Sequence, residues 1–275
     1  MRVVSIASHR LVEVLESLCP TSMAEGWDNA GLLLPPPSRD HAVRAVLLCI
    51  DLSEAVLEEA ARAGVGLVVA YHPPIFTPQK RFDPESARDR TLLRAIREGV
   101  AVWSPHTALD AIPGGVNDWL AEGIGPGERS PIHASASVPE GFEGAGAGRL
   151  LQLSPPTVLS VIVARLKEHL GLAHLRVATA PAHAGGVPIT SVALCAGAGG
   201  SLFAEVDRAS LYVTGEMRHH DVLARIAEGS SVILSEHTHT ERGYLPRFAH
   251  LLDERLEGAV EILVSARDRD PLVVV

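Results

Sequence analysis

Leu67-Val68-Val69-Ala70-Tyr71-His72-Pro73-Pro74 is a short apolar run that stops on an imidazole and two prolines. An apolar run of this length without alternation reads as a buried strand, because a strand covered on both faces presents no polar side. The prolines have no N–H to donate and end it. Upstream, residues 43–50 form a similar run. Ser53 then offers an N-cap for a helix over 54–63, with Gly64 just past its end. Downstream, a helix over 88–98 is stopped by Gly99. Val100-Ala101-Val102-Trp103 follows and ends at Pro105-His106-Thr107-Ala108-Leu109-Asp110. This βαβαβ order predicts a largely parallel sheet with helices on its faces. In such sheets ligands gather at the carboxyl ends of the strands.

The rhythm extends both ways. Leu11, Val14, Leu15 and Leu18 have helical spacing, and Cys19-Pro20 ends that helix. Residues 123–148 are rich in Gly and Pro and poor in large apolar side chains, which reads as a linker or flap. Pro155 and Pro156 then precede an amphipathic helix over 157–170, ended by Gly171. Strands at 189–195, 211–214, 232–234 and 261–264 alternate with helices. The expected fold class is α/β, two-lobed, with mostly parallel or mixed sheets flanked by helices. The expected division is an N-terminal lobe over 1–122, a connection over 123–148 and a C-terminal lobe over 149–275, the alternative being one composite domain.

The 275 residues are 47% hydrophobic and 21% charged, a globular composition. No run approaches the ~20 apolar residues that span a bilayer. Residues 1–10 show no secretory signal pattern. Cys19, Cys49 and Cys195 are odd in number and far apart, which argues against disulfides and against a thiolate zinc site. Reduced core cysteines fit a cytoplasmic protein, with the nucleus as a second location. The net charge of −9 disfavours direct nucleic-acid binding, which depends on neutralising phosphates.

The candidate chemistry lies at three strand ends. His72, Asp110, His237 and Glu241 are imidazole and carboxylate donors of the kind that suit first-row divalent ions. His237 and Glu241 have i, i+4 spacing, but Pro246 argues that the helix begins near Arg242 or Gly243, with His237 in the loop before it. His106, four residues before Asp110, is a candidate ligand, ligand-orienting group or general base. Tyr71 is a candidate hydrogen-bond donor to substrate or water, or an aromatic at the pocket rim. One of His219 and His220, or His239, is a further candidate, whereas His9, His41, His169 and His250 read as surface residues. The turn Gly197-Ala198-Gly199-Gly200-Ser201 is neither a dinucleotide fingerprint nor a Walker A loop, and reads as a tight βα turn. No nucleophile elbow is present.

Taken in order, several motifs resemble the Nif-three-like family (Ngg-interacting-factor-like proteins, also labelled GTP cyclohydrolase type-two homologues). They are Gly26-Trp27-Asp28-Asn29-Ala30-Gly31, Tyr71-His72-Pro73-Pro74-Ile75-Phe76, His106 through Asp110 with Pro113-Gly114-Gly115-Val116-Asn117, Thr214-Gly215-Glu216 through His220, His237 through Leu245, and Asp268-Arg269-Asp270-Pro271-Leu272. The resemblance covers nearly the whole chain. It implies a two-lobed fold with a dinuclear metal site between the lobes, and homo-oligomers from dimer to hexamer. It places the family's metal ligands on His72, Asp110, His237 and Glu241. Bacterial members carry a His-His pair where this chain has Tyr71-His72. That departure, with the Thr240-Glu241-Arg242-Gly243-Tyr244-Leu245 segment, resembles the eukaryotic branch and implies one or two ions of zinc, iron or manganese per protomer.

Two classes of function follow. One is a metal-dependent hydrolase of a nucleotide-like or phosphoester small molecule, with His106 or Tyr71 assisting proton transfer. The other is a protein-interaction adaptor or transcriptional co-regulator with a structural or regulatory metal. A metal chaperone is a third option.

Overall fold

The computed structural model describes residues 5–273; residues 1–4, read in the search for a leader, lie outside them. The described residues fall into two compact units, one within Met1–Leu109 and Leu245–Val275, the other Asp110–Tyr244. No helix among the described residues is long and apolar enough to cross a membrane.

The first unit carries the expected βαβαβ series. Ala45–Cys49, Leu67–Ala70 and Ala101–Ser104 pair in parallel, and Gly31–Leu34 adds an antiparallel edge. The helices between them are set by local signals. The Ser53 side chain accepts from Val56 N and caps Glu54–Arg62. The Ser86 side chain accepts from Asp89 N at the start of Ala87–Glu98, and Gly99 closes that helix in the left-handed region. Both helices lie on one face. Val56, Leu57, Ala60, Leu92 and Ala95 pack there against Leu47, Cys49, Val68, Ala70 and Val102. Val46, Leu48, Val69 and Trp103 alternate to the opposite face and are fully buried. Helices Ser8–Leu18 and Leu245–Leu256 touch one another, and the second also touches strands Ala45–Cys49 and Glu261–Val264. Each fully buried Val or Leu on these faces contributes about 1.5–3 kcal/mol through burial.

The C-terminal segment belongs here, not with the lobe expected over 149–275. Glu261–Val264 extends the sheet in parallel beside Ala45–Cys49, with Val264 opposite Leu48. Adding a strand to an existing edge satisfies its backbone groups, which a separate terminal strand would leave open.

The second unit has a six-stranded mixed sheet. Ile189–Cys195, Leu211–Thr214 and Ser231–Leu234 are parallel neighbours. Arg176–Ala178 lies antiparallel on one side, and Arg149–Thr157 then Gly127–Ser130 on the other. Ala193, Tyr212 and Val232 pack against Phe203 and Val222 on one face. Helix Val116–Glu122 contacts strands Arg149–Thr157 and Ile189–Cys195.

Residues 123–148 are therefore more than a linker. Gly127–Ser130 is an edge strand of this sheet, and His133–Ala134 pairs with Gly146–Ala147. The glycine at 127 answers a close approach: a Cβ there would lie 2.0 Å from the Gln152 carbonyl oxygen. Pro155 and Pro156 lie within the strand ending at Thr157, where pairing with Ile189–Cys195 loses register, and the helix starts later, at Leu159.

Candidate metal centre

Each unit sets three parallel strand ends side by side, because the registers align them. In the first, Cys49 is opposite Ala70, and Val69 is opposite Trp103. The residues just beyond are Asp51, His72 and His106. The His72 Nδ1–H donates to Asp51 Oδ1 at 2.9 Å. Asp51 is itself held in place, since Asp268 Oδ2 accepts from Ile50 N at 2.6 Å. This gives the C-terminal Asp268-Arg269-Asp270 motif a structural task.

His106 sits with φ of +37°, a left-handed conformation costly for any residue with a Cβ. The surroundings hold it there. Its Nδ1–H donates to Asp28 Oδ1 at 2.7 Å, while Thr107 N and the Thr107 hydroxyl donate to Asp28 Oδ2. Burial pushes the Asp28 carboxyl up, but these hydrogen bonds and the neighbouring imidazole outweigh it and hold Asp28 below the usual carboxylate range. The His106 ring stands edge-on to Tyr71, His72, Trp27 and Phe76, with centroids 5.6–6.2 Å away. Tyr71 is buried, so it forms the wall behind the two imidazoles more than a rim.

In the second unit, Cys195, Thr214 and Leu234 are in register. Gly197, Glu216 and His237 lie just beyond them. The His237 Nδ1–H donates to Glu216 Oε1 at 2.6 Å. His237 and Glu241 do not share an α-helical face. Two successive 3₁₀ turns, Thr238–Thr240 and Arg242–Tyr244, bring His237 Nε2 to 3.3 Å from Glu241 Oε1. The α-helix begins after them at Leu245, with Pro246 in its first turn, where a missing N–H is tolerated. The Thr240 hydroxyl donates to His237 O and accepts from Gly197 N at 2.7 Å, tying the Gly197 turn to the same loop.

Asp110 lies in the short helix Thr107–Ala111, and its carbonyl accepts from Asn117 Nδ2. Asn117 Oδ1 in turn accepts from Ala196 N, so this side chain is a structural tie. Burial pushes the Cys195 thiol far above its usual range, and the Asp110 and Glu241 carboxylates add to the shift against an opposing Arg149. His219 and His220 are exposed in the first turn of their helix, with rings 5.5 Å apart. His239 Nδ1–H donates to Ser235 O. His169, read as a surface residue, instead packs its ring 4.5 Å from that of buried Trp119.

A family model described as Duf34/NIF3 (NGG1p interacting factor 3) matches residues 6–271. The chain belongs to the Duf34/NIF3 family. Protein NIF3 homolog of Schizosaccharomyces pombe is 43% identical over 280 residues, covering 96% of this chain and 97% of that protein. NGG1-interacting factor 3 of Saccharomyces cerevisiae is 37% identical over 279 residues, covering 96% of each. Among solved structures, a Bacillus cereus protein related to NIF3 matches with a TM-score of 0.84 at 20% identity, over 99% of this chain and 100% of that one, a likeness of fold.

In this NIF3-family chain, His72, His237 and Glu241 each offer a ligand atom suited to a metal ion. The sequence reading missed Asp51, Glu216 and Asp28, the carboxylates behind the three imidazoles. A usable signal existed: Asp51 and Glu216 each stand two residues past a strand end, as His72 and His106 do.

Proposed function

We propose that this protein binds divalent metal through His72, Asp110, His237 and Glu241 and hydrolyses a nucleotide-like or phosphoester substrate. One observation carries the reading: His237 is set as a ligand from both sides. Glu216 holds its Nδ1–H, which places the lone pair of the neutral ring on Nε2, the arrangement of carboxylate-supported metal imidazoles. On the other side, Nε2 and Glu241 Oε1 are 3.3 Å apart. Two donors bound tetrahedrally at about 2.1 Å would be roughly 3.4 Å apart. Gly197 keeps the space beside them open, since a Cβ there would lie 2.8 Å from Glu241 Oε1 and 2.9 Å from His237 Nε2. The Asp51–His72 pair repeats the same support in the first unit.

Imidazole and carboxylate donors suit zinc, iron or manganese, one or two ions per protomer. A bound ion would supply Lewis acidity and lower the pKa of water. The chain supplies the rest. Asp51 and Glu216 fix the ring orientations of His72 and His237. His106, oriented by Asp28, presents Nε2 for proton transfer. Tyr71, buried beside His72 and His106, walls the two imidazoles.

The test is elemental analysis of anaerobically purified protein beside Asp110→Ala and His237→Ala. One or two equivalents of metal in wild type, lost in both variants, is the expected result. No metal in folded wild type and none taken up on reconstitution would overturn it. The name of the Saccharomyces cerevisiae relative, NGG1-interacting factor 3, then favours the protein-interaction role.

A further inference from the structure

The segment Gly26-Trp27-Asp28-Asn29 holds three functional groups in a row, and two have structural work. Asp28 orients His106. Asn29 Nδ2 donates to Ile75 O at 2.5 Å and so ties this segment to the loop that follows His72. Trp27 has no such task. It is 62% exposed, and Phe76, at the end of the tied loop, is 47% exposed. A fold gains about 1.5–3 kcal/mol by burying a large aromatic or aliphatic side chain, and this one leaves two aromatic rings outside together. Their centroids are 6.1 Å apart at 62°, and each lies 6.0–6.2 Å from the His106 ring. Phe76 also lines a cleft of about 320 Å³ with Leu52, Pro73, Pro74 and His72, which Asp51, Ser53 and Arg88 complete with polar groups. Mostly apolar walls with a few placed polar groups are the pattern of a small-molecule pocket.

We propose that Trp27 and Phe76 form a stacking subsite for a planar heteroaromatic ring, of the nucleobase kind, in the substrate. The inference rests on the hydrolase reading and narrows its substrate class from nucleotide-like or phosphoester compounds to those bearing a flat ring, naming the residues that hold that ring. A flat ring is favoured over an apolar peptide segment because the two aromatics border polar imidazoles, not further apolar surface. The tie through Asn29 preorganises the pair, so little ordering remains to be done on binding.

The chain has three tryptophans. Trp103 is fully buried and Trp119 is 7% exposed, so fluorescence quenching by a ligand at the surface reports Trp27. Purine and pyrimidine nucleoside monophosphates would be titrated against wild type, with ribose 5-phosphate as the ringless control. The nucleotides should quench and bind, and ribose 5-phosphate should bind at least tenfold more weakly. By isothermal titration calorimetry, Trp27→Ala and Phe76→Ala should each weaken nucleotide binding about five- to a hundred-fold, the range of base–aromatic stacking, while Trp27→Phe stays within a few-fold. Metal content should be unchanged in all three variants. Equal binding of ribose 5-phosphate, absence of quenching at millimolar nucleotide, or undiminished affinity of Trp27→Ala would overturn the subsite. A change of oligomeric size in Trp27→Ala without loss of nucleotide affinity would show the pair to be a contact between copies. Wild type that holds no metal and takes none up on reconstitution, yet binds nucleotides through Trp27, would sink the hydrolase reading and leave the subsite standing.

Discussion

Replacing Gly197 with alanine separates backbone strain from damage to the donor set. Gly197 has φ of +63°, and an alanine there meets Glu241 Oε1 at 2.8 Å and His237 Nε2 at 2.9 Å. Both contacts are with side-chain tips, which can swing away, so the fold should survive while the two donors are pushed apart. Gly171, in the same unit, provides the control. Its φ is +66°, and nothing lies within 4 Å of an added Cβ. Each substitution carries the left-handed penalty of about 1–2 kcal/mol, which corresponds to a Tm lower by roughly 2–8 °C for a chain of this size. Calorimetry should show similar losses for the metal-free forms of Gly197→Ala and Gly171→Ala. Metal titration should then divide them. Gly171→Ala keeps wild-type affinity, and Gly197→Ala loses at least ten- to a hundred-fold, the scale seen when groups supporting a ligand are disturbed. Wild-type metal affinity in Gly197→Ala would refute the assignment of His237 Nε2 and Glu241 as ligands. Equal loss in both variants would show that strain alone is responsible.

Glu216→Gln keeps shape but removes the anion behind His237 Nδ1, so metal affinity measured against a chelator should fall about 10–100-fold with little change in Tm. Arg149 is buried and donates to both Asp118 oxygens and to the carbonyls of Ala111, Ile112, Gly146 and Gly148; Arg149→Ala strands Asp118 and should cost about 3–5 kcal/mol in denaturant titrations. Burial raises the Asp118 carboxyl, but Arg149, the Gly114 N–H and Arg129 outweigh it and hold it low. A carboxyl depressed in the folded state adds stability that is fully present above its unfolded value near 3.9 and is lost as pH falls through its folded value. Wild type should therefore lose stability steeply below about pH 4, and Arg149→Ala should show a shallower slope there; parallel slopes would refute the pairing.

The elements of the first unit were legible because their signals are local. Ser53, Ser86 and Gly99 act on residues within one turn, and a strand buried on both faces is apolar throughout. The proposed donors His72, Asp110, His237 and Glu241 could be named for the same reason: each follows a buried apolar run closely in sequence. Composition misled at residues 123–148. There, glycine serves the close passage of backbones, as Gly127 does beside Gln152, and a count of glycines does not distinguish this from looseness.

What the sequence by itself determined is the alternation of strands and helices and the chemical type of the donors, since periodicity, caps and side-chain chemistry act over a few residues. Only the tertiary structure decided which carboxylate stands behind which imidazole. Asp51 reaches His72, and Glu216 reaches His237, because neighbouring parallel strands end in register. Asp28 reaches His106 across 78 residues of chain. Strand register is set by packing and hydrogen bonding between segments distant in sequence, and no local pattern encodes it. The same reason returns Glu261–Val264 to the first sheet: its apolar pattern identifies it as a strand, and the open edge beside Ala45–Cys49 determines where it goes.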